Sequence, residues 1–326
     1  MDRGCGGFCE ISNDGEPRPQ WFPCFFSKNY LNAKNSKGVA SFKYHFKFGE
    51  DEVIYSYDKK SARKIVMESL DINGVNYVKI DRRVSNVAKI EIPGTENLNN
   101  DFTEAEDSVS VISYINNNTI FPEGRVTSAF RKFTAYVKGM LFFRSLLEGN
   151  SYIGVEATGK KICEDILEHN NIEEFENFLN ANGVECKLKE INGQNGKDIA
   201  FDFDGITIPF YEIASTGTKS LGLFFFWMQR MEQISLICID EFDAFYHHEL
   251  SEALVRILKE SPAQVILTTH NTSVMSNDIL RPDCYFVMDH RNVKALPYLT
   301  DKEIRVAHNL EKIYKAGGFK KKEEKS

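Results

Sequence analysis

The sequence predicts an α/β fold, a mainly parallel sheet with helices joined to an antiparallel β subdomain and a short helical insert. Three observations predict it. Between about residues 40 and 95, apolar and polar side chains alternate around turn residues. From Val126 to Asn180 the apolar spacing lengthens to that of helices. From Ile199 onward, short apolar runs of strand type alternate with helical stretches, the pattern of a doubly wound sheet.

The elements follow in order. Residues 1–38 mix Gly, Pro, Asn and Cys without periodicity and read as an irregular segment. In the 39–122 subdomain, Phe42, Tyr44, Phe46 and Phe48 alternate with Lys43, His45 and Lys47, the signature of a half-buried strand. Gly49 to Glu52 makes a turn and Val53 to Tyr57 returns. Ile65 to Ile72 and Val75 to Ile80 flank Asn73-Gly74, a strong hairpin signal. Asn97 to Asp107 is an acidic loop.

A helical insert is expected over 123–183. In the first helix, Val126 to Leu147, the side chains of Phe130, Phe133, Val137, Met140, Leu141 and Leu147 share a face. The second runs from Ala157 to His169, and the third from Ile172 to Asn180, with Asn170 or Asn171 as N-cap and Gly183 just past its end. No heptad pattern is sustained, so no coiled-coil arm is expected. The lobe over 184–319 then holds a β stretch from Ile199 to Ile208, a helix from Ser215 to Met231, a buried strand from Ile234 to Ile239 and a helix from Glu249 to Lys259. A buried strand from Gln264 to Thr268, a strand from Cys284 to Met288 and a helix from Asp301 to Ala316 capped by Gly317 complete it. Residues 320–326 form a charged tail.

Composition narrows the function classes. Acidic residues outnumber basic ones, 47 to 40, which argues against a general nucleic-acid coat. Seven cysteines are scattered without a CxxC pair, which suggests a reducing, cytoplasmic compartment. Cys5, Cys9 and Cys24 lack a fourth zinc ligand. The longest apolar run, Leu221 to Met228, falls far short of the ~20 residues that span a bilayer. No apolar stretch follows the first charges, so neither a signal peptide nor a membrane partner is expected.

The chemistry-bearing residues cluster late in the chain. Ser235 to Glu241 is an apolar strand ending in adjacent carboxylates, Asp240 and Glu241. Ligands in open α/β sheets sit at the carboxyl ends of strands. Asp240 suits Mg²⁺, and Glu241 suits orienting a water; the alternative is a strand end that simply meets solvent. One helix later, Gln264 to Thr268 ends in Thr269-His270-Asn271, which would set His270 beside Glu241 if the two strands are parallel neighbours. Upstream, Ser215-Thr216-Gly217-Thr218 opens a helix, either as an anion seat or as an ordinary N-cap.

In that order these three segments resemble the signature motif, Walker B and switch histidine of ABC-type ATPases. They are most similar to the SMC and RecF group and to AAA-annotated ATPases of bacterial anti-phage defence. Tyr246-His247-His248-Glu249-Leu250 resembles the segment after Walker B, with His248 where a proline is frequent. Arg305 to Tyr314 with Gly317-Gly318-Phe319 resembles the last helix. The resemblance is specific from about residue 199 to 319. It implies a P-loop NTPase-like fold, with ATP and Mg²⁺ as cofactors. It also implies catalytic roles for Glu241 and His270 and a metal ligand in Asp240. Ser215, Gly217 and Thr218 would contact the nucleotide of an opposing head, in a homodimer or a pair of ATPase heads. An effector protein and DNA or RNA are candidate partners.

The family also uses a Gly-rich loop bearing Lys-Ser/Thr. Gly154 to Lys161 has the glycine and lysine spacing, but Lys161 stands where the hydroxyl belongs, and the segment follows the β meander that the family's loop precedes. Gly4-Cys5-Gly6-Gly7 lacks the Lys-Ser/Thr. A chain truncated before its phosphate-binding loop, with weak or no hydrolysis, is therefore expected. Two rival readings are a non-hydrolysing scaffold or regulatory subunit and a nucleic-acid-processing effector. The second has only modest basic clusters, such as Lys59-Lys60 and Arg82-Arg83, to support it.

Overall fold

The computed structural model describes residues 38–61, 64–103, 109–144, 151–154, 162–193, 196–244, 246, 248–289 and 292–319. The irregular 1–38 segment but for its last residue, Gly4 to Gly7, the three N-terminal cysteines, most of Gly154 to Lys161, His247 and the 320–326 tail lie outside the described residues. The chain divides into two compact units, one ending at Lys138 and the other beginning at Gly139.

The first unit is a meander of β1 (Ala40–Phe48), β2 (Asp51–Lys59), β3 (Ile65–Ile72), β4 (Val75–Asp81) and β5 (Ser85–Ile90), each antiparallel to the next. Phe48 pairs with Asp51, so the first turn is only Gly49-Glu50, tighter than the four residues the sequence suggests. The Asn73-Gly74 turn has φ of 51° and 79°, the left-handed pair that a two-residue hairpin requires. The Asn73 side chain also accepts from the Glu52 amide at 2.9 Å, tying one hairpin to the next.

Two helices close this unit, α1 (Val111–Asn118) and α2 (Arg125–Lys138). Ile115, Phe130 and Phe133 meet Val53, Leu70, Ile72 and Val78 in one core. Each such side chain, fully buried, contributes about 1.5–3 kcal/mol. Glu68 lies within it and is fully buried. Its carboxylate accepts from Tyr55 Oη at 2.8 Å, Ser110 Oγ at 2.6 Å and the Val111 amide at 2.7 Å, so it sits at the positive end of α1.

The expected helix from Val126 to Leu147 ends at Lys138, and Met140–Arg144 is instead β6, in the other unit. Period cannot separate helix from strand in a continuous apolar run such as Met140 to Phe143. Gly139 supplies the break. A Cβ there would lie 3.0 Å from both the Gln233 carbonyl and the Ser235 amide, so only glycine lets the two backbones meet. The 123–183 stretch therefore contributes α2 to the first unit and β6, β7 (Ser151–Gly154), α3 (Ile162–Glu168) and α4 (Ile172–Ala181) to the second. Helix α4 ends as expected for Gly183, whose φ is 84°. Val184 donates to the Leu179 carbonyl at 2.9 Å and Gly183 to Asn180 at 3.2 Å, a Schellman closure.

The second unit continues with β8 (Leu188–Gly193), β9 (Gly196–Phe203), β10 (Ile206–Pro209), α5 (Phe210–Ile213), α6 (Thr216–Met228), β11 (Leu236–Asp240), α7 (His248–Lys259) and β12 (Gln264–Leu267). Then come β13 (Phe286–Met288), β14 (Val293–Ala295) and α8 (Leu310–Lys315). The stretch 199–208 is a hairpin and not one strand, because Asp204 and Gly205 have φ of 51° and 104°. Phe286–Met288 pairs antiparallel with Val293–Ala295 in a sheet of its own. Only Leu310–Lys315 of the expected 301–316 helix forms, starting where Asn309 Oδ1 accepts from the Lys312 amide at 2.8 Å.

The site rests on the sheet ordered β12-β11-β6-β7. Its first three strands are parallel, and β7 is antiparallel to β6. The α/β class with a parallel sheet holds. One face, carrying Leu141, Phe143, Ile237 and Ile239, is buried with α6 and α7. A cavity of about 20 Å³ remains there, lined by Phe143, Leu223, Phe224, Ile239 and Leu258 among others. The opposite face is less covered. Phe142 and Ile266, both registered to Cys238, are 38% and 45% exposed, so β12 is a half-exposed edge and not the buried strand expected.

Candidate functional site at the carboxyl ends of two parallel strands

Strand β11 alternates, turning Ile237 and Ile239 into the core and carrying Asp240 out to solvent at its end. Parallel pairing with β12, with Ile239 opposite Leu267, brings Thr268, Thr269 and His270 to the same end as Asp240 and Glu241. Three consecutive side chains then meet three carboxylates. Thr268 Oγ1 donates to Asp240 Oδ1 at 2.6 Å, and Thr269 Oγ1 donates to Asp243 Oδ1 at 2.5 Å. His270 Nε2 lies 3.0 Å from Glu241 Oε1.

Glu241 leaves the strand with φ of 51°, a left-handed conformation that costs a residue with a Cβ about 1–3 kcal/mol. Its amide donates to Thr268 Oγ1 at 2.9 Å, and the next amide, Phe242, donates to the Thr268 carbonyl at 3.1 Å. The strain is thus held by the neighbouring strand. Behind the site, burial pushes the Cys238 thiol up, and the nearby Asp240 charge adds to it.

The candidate signature residues form a second group. Ser215 is the N-cap of α6, its Oγ accepting from the Thr218 amide at 3.1 Å and sharing a 2.8 Å hydrogen bond with Thr218 Oγ1. The Thr216 and Gly217 amides of this first turn have no protein acceptor among the described residues. The rest of the helix, from Leu221 to Trp227, is buried on every side, which fixes its start in place. No hydrogen bond or ion pair among the described residues joins this group to Asp240, Glu241 or His270.

The donor set fits Mg²⁺ better than a softer metal. Asp240 offers a hard carboxylate whose Oδ2 is its freer oxygen, and Mg²⁺ takes one or two carboxylates with water and phosphate completing its shell. No cluster of three metal-ligating His, Cys, Asp or Glu side chains occurs among the described residues. The two free amides and the positive end of α6 suit a phosphate.

The sequence matches the family described as "AAA domain, putative AbiEii toxin, Type IV TA system" over residues 40–276. Among solved structures, the crystal structure of the SmcHead bound to the C-winged helix domain of ScpA is similar to this chain at 17% identity. Its TM-score is 0.34, over 76% of this chain and 70% of that one. No curated protein matches the sequence. Among the described residues, no helix is long and apolar enough to cross a membrane.

Proposed function

The chain belongs to this AAA-domain family, and from that premise we propose that it is an ATP-binding and ATP-hydrolysing subunit of the ABC (SMC/RecF-like) type, serving anti-phage defence. The observation that carries the reading is the convergence of Asp240, Glu241 and His270 at one end of the β11–β12 pair, with Glu241 held in a left-handed backbone.

Asp240 Oδ2 would hold Mg²⁺, which supplies charge neutralisation to the phosphates when bound. Glu241 Oε1 orients the attacking water and accepts its proton, and its position past the strand end keeps that oxygen at the sheet's rim. His270 is 94% exposed at its side chain, so it can hydrogen-bond a terminal phosphate oxygen without leaving Glu241. Ser215, Gly217 and Thr218 present the amide-rich end of α6 to the nucleotide of an opposing head, which makes two copies or two paired heads the working unit.

A second reading, a non-hydrolysing scaffold or regulatory subunit, is favoured by the lack, in this sequence, of a Gly-rich loop that pairs the family's spacing with Lys-Ser/Thr. One experiment separates the two. Fluorescent ATP binding and phosphate release are measured for the wild type and Glu241→Gln. Binding by both with hydrolysis by the wild type alone supports the ATPase. Binding without hydrolysis by either supports the regulatory subunit, and no binding by the wild type ends the ATPase reading and leaves the non-hydrolysing scaffold.

A further inference from the structure

The two carboxylates of the proposed site do not hold themselves in place. Asp240 is the exposed last residue of β11, and Glu241 has a backbone conformation that its own side chain disfavours. One hydroxyl touches both. Thr268 Oγ1 accepts from the Glu241 amide at 2.9 Å and donates to Asp240 Oδ1 at 2.6 Å. The Thr268 backbone is fixed independently, its amide donating to the Ile239 carbonyl at 3.0 Å and its carbonyl accepting from Phe242 at 3.1 Å. The hydroxyl therefore hangs from a rigid point of the ladder and spans two residues whose chemistry differs.

We propose that Thr268 is the positioning residue of this site, holding Glu241 in its left-handed turn and leaving Oδ2 the freer oxygen of Asp240 for metal. Its accepting lone pair compensates the strain at Glu241, since an amide left unpaired there would favour relaxation to an extended backbone. Its donated hydrogen takes one lone pair of Asp240 Oδ1, so Oδ2 is the freer oxygen to approach a cation. A one-oxygen carboxylate suits a small octahedral ion, whereas Ca²⁺ gains from two-oxygen contact. Thr268 thus sets which divalent ion the site prefers. The metal preference rests on the proposed ATPase reading; the hold on Glu241 does not.

The test uses the full chain and the isosteric Thr268→Val, with Thr268→Ser restoring the hydroxyl. Residue-resolved amide exchange by NMR should show the Glu241 amide of Thr268→Val exchanging about tenfold faster, the loss of one hydrogen bond. The Phe242 amide, bonded to the residue-268 carbonyl, should stay protected, and Thr268→Ser should match the wild type. If the valine chain does not fold, Thr268→Ala against Thr268→Ser reads the same contrast. Equal Glu241 exchange in all variants, or loss in serine as well, overturns the assignment. In parallel, Mn²⁺ and Ca²⁺ affinities are measured by paramagnetic broadening and competition. The Ca²⁺-to-Mn²⁺ affinity ratio should rise several-fold in Thr268→Val and not in Thr268→Ser. An unchanged ratio overturns the single-oxygen role. Absence of Mn²⁺ binding to the wild type when ATP is also present instead overturns the ATPase reading and leaves the amide result standing.

Discussion

His270 Nε2 lies 3.0 Å from Glu241 Oε1, although the histidine side chain is 94% exposed and the glutamate side chain only 22%. A polar contact so open to water adds little to folding. Its value lies in geometry, because it keeps one carboxylate oxygen aimed along the rim of the sheet. His270→Ala should leave thermal stability unchanged and, in a hydrolysing protein, lower kcat by about 10²-fold or more while nucleotide affinity changes little. Parallel titrations of binding and turnover check this; a matching loss in both would assign His270 to binding alone.

Ser215 has an observed role as N-cap and a proposed one toward an opposing head, and one substitution cannot separate them. Ser215→Ala removes the N-cap of α6 and should destabilise the chain by about 1 kcal/mol in urea. Ser215→Arg adds bulk and charge at the same point. In a nucleotide-binding form of the protein, with Glu241→Gln to retain nucleotide, ATP and Mg²⁺ should shift monomer to dimer in light scattering, and Ser215→Arg should abolish that shift. If Ser215→Arg instead destroys binding in the monomer, the α6 turn acts within its own chain and the opposed-head arrangement is wrong.

Glu68 anchors the start of α1 through three donors. Glu68→Ala strands a tyrosine hydroxyl, a serine hydroxyl and a backbone amide, each costing about 1–3 kcal/mol when buried and unpaired. Denaturant unfolding should therefore show a loss of several kcal/mol, by the same arithmetic. Glu68→Gln, which keeps an acceptor, should lose distinctly less.

The same cluster carries an alkaline limit. Burial first, and then the Glu68 charge, push the Tyr55 hydroxyl well above the ordinary tyrosine value of 10.0. A group whose folded value is raised stabilises fully below its unfolded value and loses that contribution as pH climbs past it. Stability should thus fall above about pH 10, where the unfolded chain ionises its tyrosine and the folded one cannot. In Tyr55→Phe the fall should be shallower, as read by denaturant midpoints across pH.

Gly139→Ala tests the entry into β6. The added methyl would press on backbone atoms of Gln233 and Ser235 at 3.0 Å, which cannot swing aside. A loss of about 1–3 kcal/mol is expected in thermal or urea unfolding. A neutral result would mean that the two backbones part without cost.

Much of this was legible in the sequence where local chemistry decides. Asn73-Gly74 and Gly183 each announced a backbone that few other residues accept, and both occur as read. The adjacency of Glu241 and His270 followed from two strand-like runs separated by one helix. What stayed hidden depended on partners distant in sequence. Met140 to Phe143 looks helical until Ser235 is known to lie against Gly139. Asp204-Gly205 was a turn signal inside a run that read as one strand. Thr268 and Thr269 belong to the Thr-Thr-His run of the resemblance, but the sequence assigns neither a role of its own, which needs the carboxylate that each one meets.

The half-covered face of the β12-β11-β6 array has a practical reading at the bench. Phe142 and Ile266 keep 38% and 45% of their surface in water in the native fold, in one row with Cys238. Environment-sensitive dyes that mark molten states elsewhere will find an oily strip on this protein before any unfolding. A dye-monitored melt should begin bright and give a shallow or inverted transition, while circular dichroism shows a normal one. Sulfate, which strengthens apolar contact, should drive the folded chain to cluster through the same strip. A net charge of -7 opposes such clustering only in part.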